Sequence, residues 1–312
     1  MTWDAKIARR LKLKDLQTLL AVAEVGGMGK AADRLNYSQP TVSKAIASLE
    51  RTLGKRLLDR TRDGIELTPY GLALLRCGTA VFDELRKGMA DIEFLSDPSA
   101  GEVRVGCSEP VSAGIITAVI ERIAQKYPRV AFHVEVTSPA TISGDVGERK
   151  LDIAITQNYG QVVDERLQIE TLYDDPVVVV AGARHKSANR RRIKLRDLAD
   201  GRWALPPPES FISPLLADAF QAEGLNPPIR AVTTRSAYLR VLLTVGGSFL
   251  TVVPSIMLDV GLRQLPIKAL PIQLPCNRRP VAIVTLRDRA LSPVANLFIE
   301  HTRAVAKAMS GD

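Results

Sequence analysis

Ser38-Gln39-Pro40-Thr41-Val42-Ser43-Lys44-Ala45-Ile46-Ala47-Ser48-Leu49-Glu50-Arg51-Thr52-Leu53-Gly54 is the stretch from which the rest of the chain is read. Ser38 has the side chain of an N-cap. Gln39 and Pro40 follow in the first turn, where a missing N–H costs no hydrogen bond, and Gly54 supplies a C-terminal stop. At 100° per residue Val42, Ala45, Ile46 and Leu49 fall on one side of this helix, and Pro40, Ser43, Lys44, Ala47 and Ser48 on the other. The second side is small, polar and basic. A helix entering the major groove needs that chemistry: hydroxyls, an amide and an ammonium for base edges and phosphates, and no bulky aliphatic groups left in water. Gln39 can pair bidentately with adenine, and Ala47 can meet a thymine methyl group.

Upstream, Leu13, Leu16, Leu20 and Ala23 recur at helical spacing up to Gly26-Gly27, and a second short helix carries Ala31, Ala32 and Leu35 before the turn Asn36-Tyr37-Ser38. Its small alanines let two helices approach closely. Downstream, Leu57 to Leu67 reads as two short strands around an Asp63-Gly64 turn, a hairpin wing with Arg60 and Arg62 at its tip or base. Arginines there suit a narrow minor groove, although a plain surface hairpin with solvated charges has the same sequence pattern. Residues 1–66 hold thirteen Lys and Arg against eight Asp and Glu, so much of the net charge of +8 sits at this end. A polyanion is its natural partner.

The run Leu16, Ala21-Val22-Ala23-Glu24, Ala31-Ala32-Asp33-Arg34-Leu35, Ser38 to Ser43, Leu49-Glu50, Leu53-Gly54, Leu57, Arg60-Thr61 and Leu67-Thr68-Pro69-Tyr70-Gly71 closely resembles the DNA-binding domain of LysR-type transcriptional regulators. Two departures are Gly27-Met28-Gly29, in place of a serine and an aromatic, and Leu58, in place of the wing phenylalanine. The DNA-binding set expected from pattern and resemblance together is Lys30, Ser38, Gln39, Pro40, Thr41, Ser43, Lys44, Ala47, Arg60 and Arg62.

Thr68-Pro69 is an N-cap and N1 pair, and Leu72, Leu75, Thr79, Phe82, Leu85, Met89 and Ile92 follow at spacings of three and four. One helix of about 27 residues, roughly 40 Å long, is predicted. Its apolar stripe can be covered by a second copy or folded back on its own domain; the resemblance implies a homodimer that assembles to a homotetramer. Ser96 to Gly101 reads as a hinge.

From Glu102 onward short apolar strands alternate with helices, which predicts α/β architecture with a mainly parallel sheet and two similar lobes. The expected organisation is an all-α winged helix-turn-helix over residues 1–68, a linker helix over 69–95, a hinge over 96–101 and a two-lobed effector domain over 102–312. That domain resembles periplasmic binding proteins, with lobe I at about 102–166 and 280–312 and lobe II at about 167–279. Ligands of open α/β sheets sit beyond the carboxyl ends of the strands, among free helix N–H groups. This rule and the resemblance pick out Ser108, Glu109, Ser112, Thr137, Ser138, Gln157, Phe211, Arg235, Ser236, Gly246 and Gly247 as effector-binding residues. Many effectors of similar regulators are small carboxylates, which Ser112 and Arg235 would suit; Glu109 would repel one unless paired, so a sugar, an amine or a neutral aromatic stays open.

The sequence argues against other classes. His133, His185 and His301 belong to no catalytic motif, and Cys77, Cys107 and Cys276 have no metal or disulfide spacing, so neither catalytic residues, cofactor nor metal is expected. Cys107 beside Ser108 reads as a nucleophile, a redox sensor or simply a buried cysteine. No run of about 18 apolar residues is present, and charges run through Met1 to Leu20, so a membrane span and a secretory signal are not expected. A cytoplasmic regulator is therefore expected, with double-stranded operator DNA, a small-molecule effector and RNA polymerase as partners.

Overall fold

The computed structural model describes residues 10–61, 64–157, 164–210, 212–259, 262–274 and 280–310. The chain forms two compact units that divide after Met89.

In the first unit, α1 (Leu13–Val25) ends at Gly26, whose φ of 71° closes the helix, and α2 (Met28–Leu35) ends at Asn36 in the same left-handed conformation. α3 (Gln39–Leu53) starts at the Ser38 N-cap and ends at Gly54, φ 63°. Leu16, Leu19 and Val22 of α1, Ala31 and Ala32 of α2, and Val42, Ile46 and Leu49 of α3 are all buried. Three short amphipathic helices thus share one core, which the alanines of α2 keep narrow. Two strands follow, β1 (Leu58–Thr61) and β2 (Gly64–Leu67), antiparallel with Leu58 opposite Leu67 and Thr61 opposite Gly64. Gly64 therefore pairs within the ladder and is not part of the turn expected from the sequence; Arg62 and Asp63 lie outside the described residues. α4 (Pro69–Ser96) is one continuous helix. Its close approach to β1 requires a glycine, because a Cβ at Gly71 would overlap the Leu57 carbonyl oxygen.

β3 (Ala100–Cys107) begins four residues after α4 ends, so the irregular link is Asp97 to Ser99, shorter than the hinge read from sequence. In the second unit β3, β4 (Arg129–Val136), β5 (Ile153–Gln157), β6 (Leu167–Asp174) and β12 (Pro280–Leu286) form one sheet in the order β4-β3-β5-β12-β6. The other sheet has the order β11-β7-β10-β8-β9, from β7 (Val177–Gly182), β8 (Trp203–Leu205), β9 (Arg230–Thr233), β10 (Leu250–Pro254) and β11 (Ile267–Ala269). Two expectations change. The sheets are mixed, not mainly parallel, because β12 runs antiparallel to β5 and β6, and β7 antiparallel to β10 and β11. The chain also leaves lobe I at Asp175-Pro176 rather than near residue 167, since β6 pairs along its length with β12.

The central strands β5 and β10 are buried at every residue, as strands covered on both faces must be. α7 (Pro139–Gly147) covers one face of the first sheet through Ile142 and Val146. α6 (Thr117–Lys126) and α11 (Pro293–Ser310) cover the other through Val119, Ile123 and Phe298. In the second lobe α8 (Ile212–Ala222) brings Phe220 edge-on to Trp203, ring centroids 6.0 Å apart. α9 (Ala237–Val245) and α10 (Ile256–Asp259) bury Val241 and Ile256 against the opposite face. Asp152, just before β5, accepts from the Arg104 backbone N–H (2.9 Å), the Arg104 guanidinium (2.9 Å) and the buried Arg289 (2.7 Å), which fixes the strand end that leads to Gln157.

Candidate functional site

Two constellations stand out, one in each unit. On α3, Val42, Ala45, Ile46 and Leu49 are buried, while Gln39, Pro40, Thr41, Ser43, Lys44 and Ala47 are exposed, as is Lys30 on α2. The helix thus presents the side the periodicity assigned to DNA. At its head the Ser38 hydroxyl accepts from the Thr41 N–H (3.4 Å) and shares a hydrogen bond with the Thr41 hydroxyl (2.8 Å). Both hydroxyls therefore hold the helix start as well as lying at its surface, so part of their role is capping. The hairpin is tied to α3 by Glu50, whose carboxylate accepts from the Leu57 N–H (2.8 Å). Thr68 closes the knot: its hydroxyl donates to the Arg56 carbonyl (2.8 Å) and accepts from the Gly71 N–H (3.0 Å). Thr68 was expected as the N-cap of the long helix, and Glu50 carried no role in the sequence reading beyond the resemblance. The signal was a carboxylate on the buried-side edge of α3 followed, seven residues later, by a backbone needing an acceptor. Arg60 lies in β1 opposite Ile65; Arg62 lies outside the described residues.

In the second unit, β3 and β5 end side by side, and the buried Ser108 hydroxyl donates to the Gln157 side-chain oxygen (2.7 Å). Glu109 follows as the first residue of α5 (Glu109–Val111), which widens into a π-helical stretch, Ser112–Ile116, before α6. π segments often mark functional positions. Here the wide turn carries Gly114, where a Cβ would overlap Ile256 of lobe II, so the lobes touch backbone to side chain. Ser112 spends its hydroxyl on the Glu109 carbonyl (2.7 Å). The Thr137 N–H donates to the Cys107 carbonyl, and Ser138 caps α7 through the Thr141 N–H (3.3 Å).

Across from them, Ser236 caps α9 through the Leu239 N–H (3.2 Å). The Glu109 carboxylate accepts from the Ser236 hydroxyl (2.9 Å), the Ala237 N–H (2.6 Å) and the Tyr238 N–H (3.2 Å). Arg240, one turn on, is 2% exposed and donates to the Thr234 and Arg235 carbonyls, both at 3.1 Å. Burial pushes its guanidinium down to about 10, while the Glu109 charge acts in the opposite direction. Arg240 was missed in the sequence because its helix reads as an apolar run, AYLRVLLTV. Arg235 points its guanidinium to Glu209 (2.9 Å) at the surface.

Ser108, Glu109, Gln157 and Ser236 are thus gathered in one place, with Arg235 at its edge. Gly246 and Gly247 are not: they terminate α9, whose nine residues span about 14 Å. Gly247, φ 80°, packs there on the Arg184-His185 backbone. Phe211 lies outside the described residues. Cys107 is buried, and burial pushes its thiol up to about 12, which leaves it a packing residue and no nucleophile. Among the described residues no group of His, Cys, Asp and Glu could hold a metal, and no helix is long and apolar enough to cross a membrane.

Residues 13–72 match the family model of the bacterial regulatory helix-turn-helix protein, lysR family, and residues 96–307 match the LysR substrate binding domain. The chain is 28% identical over 311 residues to the uncharacterized HTH-type transcriptional regulator YdcI of Escherichia coli (strain K12), covering 99% of both. It is 25% identical over 298 residues to the HTH-type transcriptional regulator GbpR of Azospirillum brasilense, covering 95% of this chain and 87% of that one. Among solved structures, full-length OxyR from Pseudomonas aeruginosa is similar with a TM-score of 0.66, 20% identity and 95% of each chain covered. The LysR family regulator CbnR is similar with a TM-score of 0.63, 19% identity, and 95% of this chain and 99% of that one covered. CbnR in complex with its target DNA gives 0.54 at 20% identity, over 95% of this chain and all of that one. At these identities the structural likeness speaks for the fold. With a helix-turn-helix and a substrate-binding domain matched in order along nearly its whole length, the protein belongs to the LysR family of DNA-binding transcriptional regulators, which are regulators and not enzymes.

Proposed function

We propose that the protein reads operator DNA through the exposed side of α3 and that a small molecule between the two lobes of the second unit sets how tightly it does so. The observation that supports this most is the division of α3, with Val42, Ile46 and Leu49 buried and Gln39, Ser43, Lys44 and Ala47 left to solvent at the head of the helix. Gln39 and Ser43 read base edges, Ala47 packs on a thymine methyl, and Lys44 and Lys30 hold phosphates. Ser38, Pro40 and Thr41 bring the helix start close to the backbone, and the wing arginines Arg60 and Arg62 reach the minor groove.

The protein works in the cytoplasm as a homodimer joined along α4, and two dimers form a tetramer that holds an interrupted inverted repeat and contacts RNA polymerase. Leu72, Leu85, Met89, Ile92 and Leu95 of α4 are all exposed, which favours a covering second copy. In the effector domain Ser108, Glu109, Gln157, Arg235 and Ser236 line the ligand site, with Ser112, Thr137 and Ser138 in supporting positions. The ligand acts only through its different affinity for two arrangements of the assembly, so DNA and effector each change the affinity of the other by the same factor.

Binding of the full chain to selected and to random DNA fragments, with salt varied, tests the reading. Ser43→Ala and Gln39→Ala are expected to cost about 1–3 kcal/mol on selected DNA and little on random DNA. Lys44→Ala should weaken both and flatten the slope of log affinity against log salt by about 0.9 for each phosphate the side chain no longer neutralises. Equal losses on both DNAs for all three variants would refute the assignment.

A further inference from the structure

The head of α9 is built to receive an anion: the Ser236 hydroxyl and the Ala237 and Tyr238 N–H groups converge, and the positive end of the helix lies behind them. Beneath lies the Arg240 guanidinium, whose Nε is buried and finds no hydrogen-bond partner among the described residues. A cation so placed favours negative charge above it. That charge is supplied by the chain itself. The donors belong to lobe II, the carboxylate to lobe I, and 128 residues separate Glu109 from Ala237.

We propose that Glu109 is a tethered occupant of this anion seat and determines ligand specificity: it keeps free carboxylates and other small anions off the head of α9 unless they displace it. The inference rests on the reading of the space between the lobes as the ligand site, and it accounts for an acid in a place where similar regulators were expected to favour carboxylate effectors. Three charge-assisted hydrogen bonds satisfy Glu109, so a second anion meets a neutralised helix end and the negative charge of the carboxylate already there. Arg235, the residue before the Ser236 cap, is already engaged by Glu209. An incoming anion sees the seat only in the fraction of molecules where Glu109 has left, and its apparent affinity falls by that fraction. The same contact joins the lobes beside the Gly114–Ile256 approach, so removing it loosens lobe I from lobe II.

Acetate and sulfate, with acetamide as the uncharged control, are titrated into the full chain and into Glu109→Ala and Glu109→Gln, following the amide resonances of Ala237 and Tyr238. At least a tenfold gain in acetate and sulfate affinity is expected for Glu109→Ala, a smaller gain for Glu109→Gln, and none for acetamide. Equal anion affinity in the wild-type chain and both variants, or no anion shift of the two amides in either variant, overturns the proposal. Should Glu109→Ala not fold, Glu109→Gln alone decides, because it keeps the side chain's length and its acceptor oxygen. The titration involves no DNA, so its failure removes the role of Glu109 and leaves the operator reading standing. Conversely, if no metabolite changes DNA affinity in the wild-type chain or the variants, the regulatory reading fails while the occupancy of the seat is untouched.

Discussion

Replacing Asp152 by alanine probes the buried anchor of lobe I at the start of the strand that ends at Gln157. Asp152 is 4% exposed and accepts from the Arg104 backbone and side chain and from Arg289, a side chain 3% exposed that also donates to the Leu151 carbonyl at 2.7 Å. The Arg104 side chain is 26% exposed and can turn to water, so its share is discounted as a surface pair. The weight falls on the buried Arg289–Asp152 pair and on the Arg104 N–H. Breaking such a pair costs about 3–5 kcal/mol. For a unit of this size each kcal/mol moves the melting temperature by about 2–4 °C, so a fall of roughly 6–20 °C is expected by calorimetry. Asp152→Asn, which keeps an acceptor but no charge, should lose about half as much. If the loss comes from breaking this buried pair, adding Arg289→Met to Asp152→Ala should return part of it. A fall of less than about 2 °C, or a double variant no more stable than the single one, would refute the reasoning.

Alkylation of the native protein should label exposed Cys77 and leave Cys107 unmodified until denaturant is added, because burial holds its thiol protonated up to about 12; native labelling of Cys107 would contradict its packing role. Met89→Lys combined with Ile92→Lys places two charges on the exposed stripe of α4 and should reduce the oligomer to monomer in light scattering, with far-ultraviolet circular dichroism unchanged; an unaltered mass would move the subunit contact elsewhere. Burial and the neighbouring Lys186 hold His185 below its ordinary value, and its Nδ1 accepts from the Ser187 N–H at 3.1 Å. The unfolded chain therefore takes up the proton first as the pH falls: the contribution of His185 is complete above about 6.5 and is lost as the pH drops below that. The melting temperature should fall between pH 7 and 5.5, and His185→Asn should reduce that fall; an unchanged profile would place the titration on another group.

The α3 helix was legible because each of its signals is local. Ser38 caps, Pro40 opens and Gly54 stops the helix, and the spacing of Val42, Ala45, Ile46 and Leu49 depends on nothing beyond 3.6 residues per turn. The strand β6 could not be assigned in this way, because its partly buried residues suit either lobe, and only pairing with β12, more than a hundred residues later, placed it in the first. Ser108, Gln157 and Ser236 were legible as strand ends and helix heads, positions that a general rule for α/β sheets singles out.

By itself the sequence determined the helices of the DNA-binding unit and the alternation of strands and helices in the second unit, since backbone propensity, capping and hydrophobic period act over a few residues. Tertiary structure alone decided that the sheets are mixed, that Arg240 is buried beneath a helix head, and that the Glu109 carboxylate fills that head from the opposite lobe. Those outcomes depend on charges and strands brought together from distant parts of the chain, where burial sets which partner each group receives, and no periodicity in the sequence records such a choice.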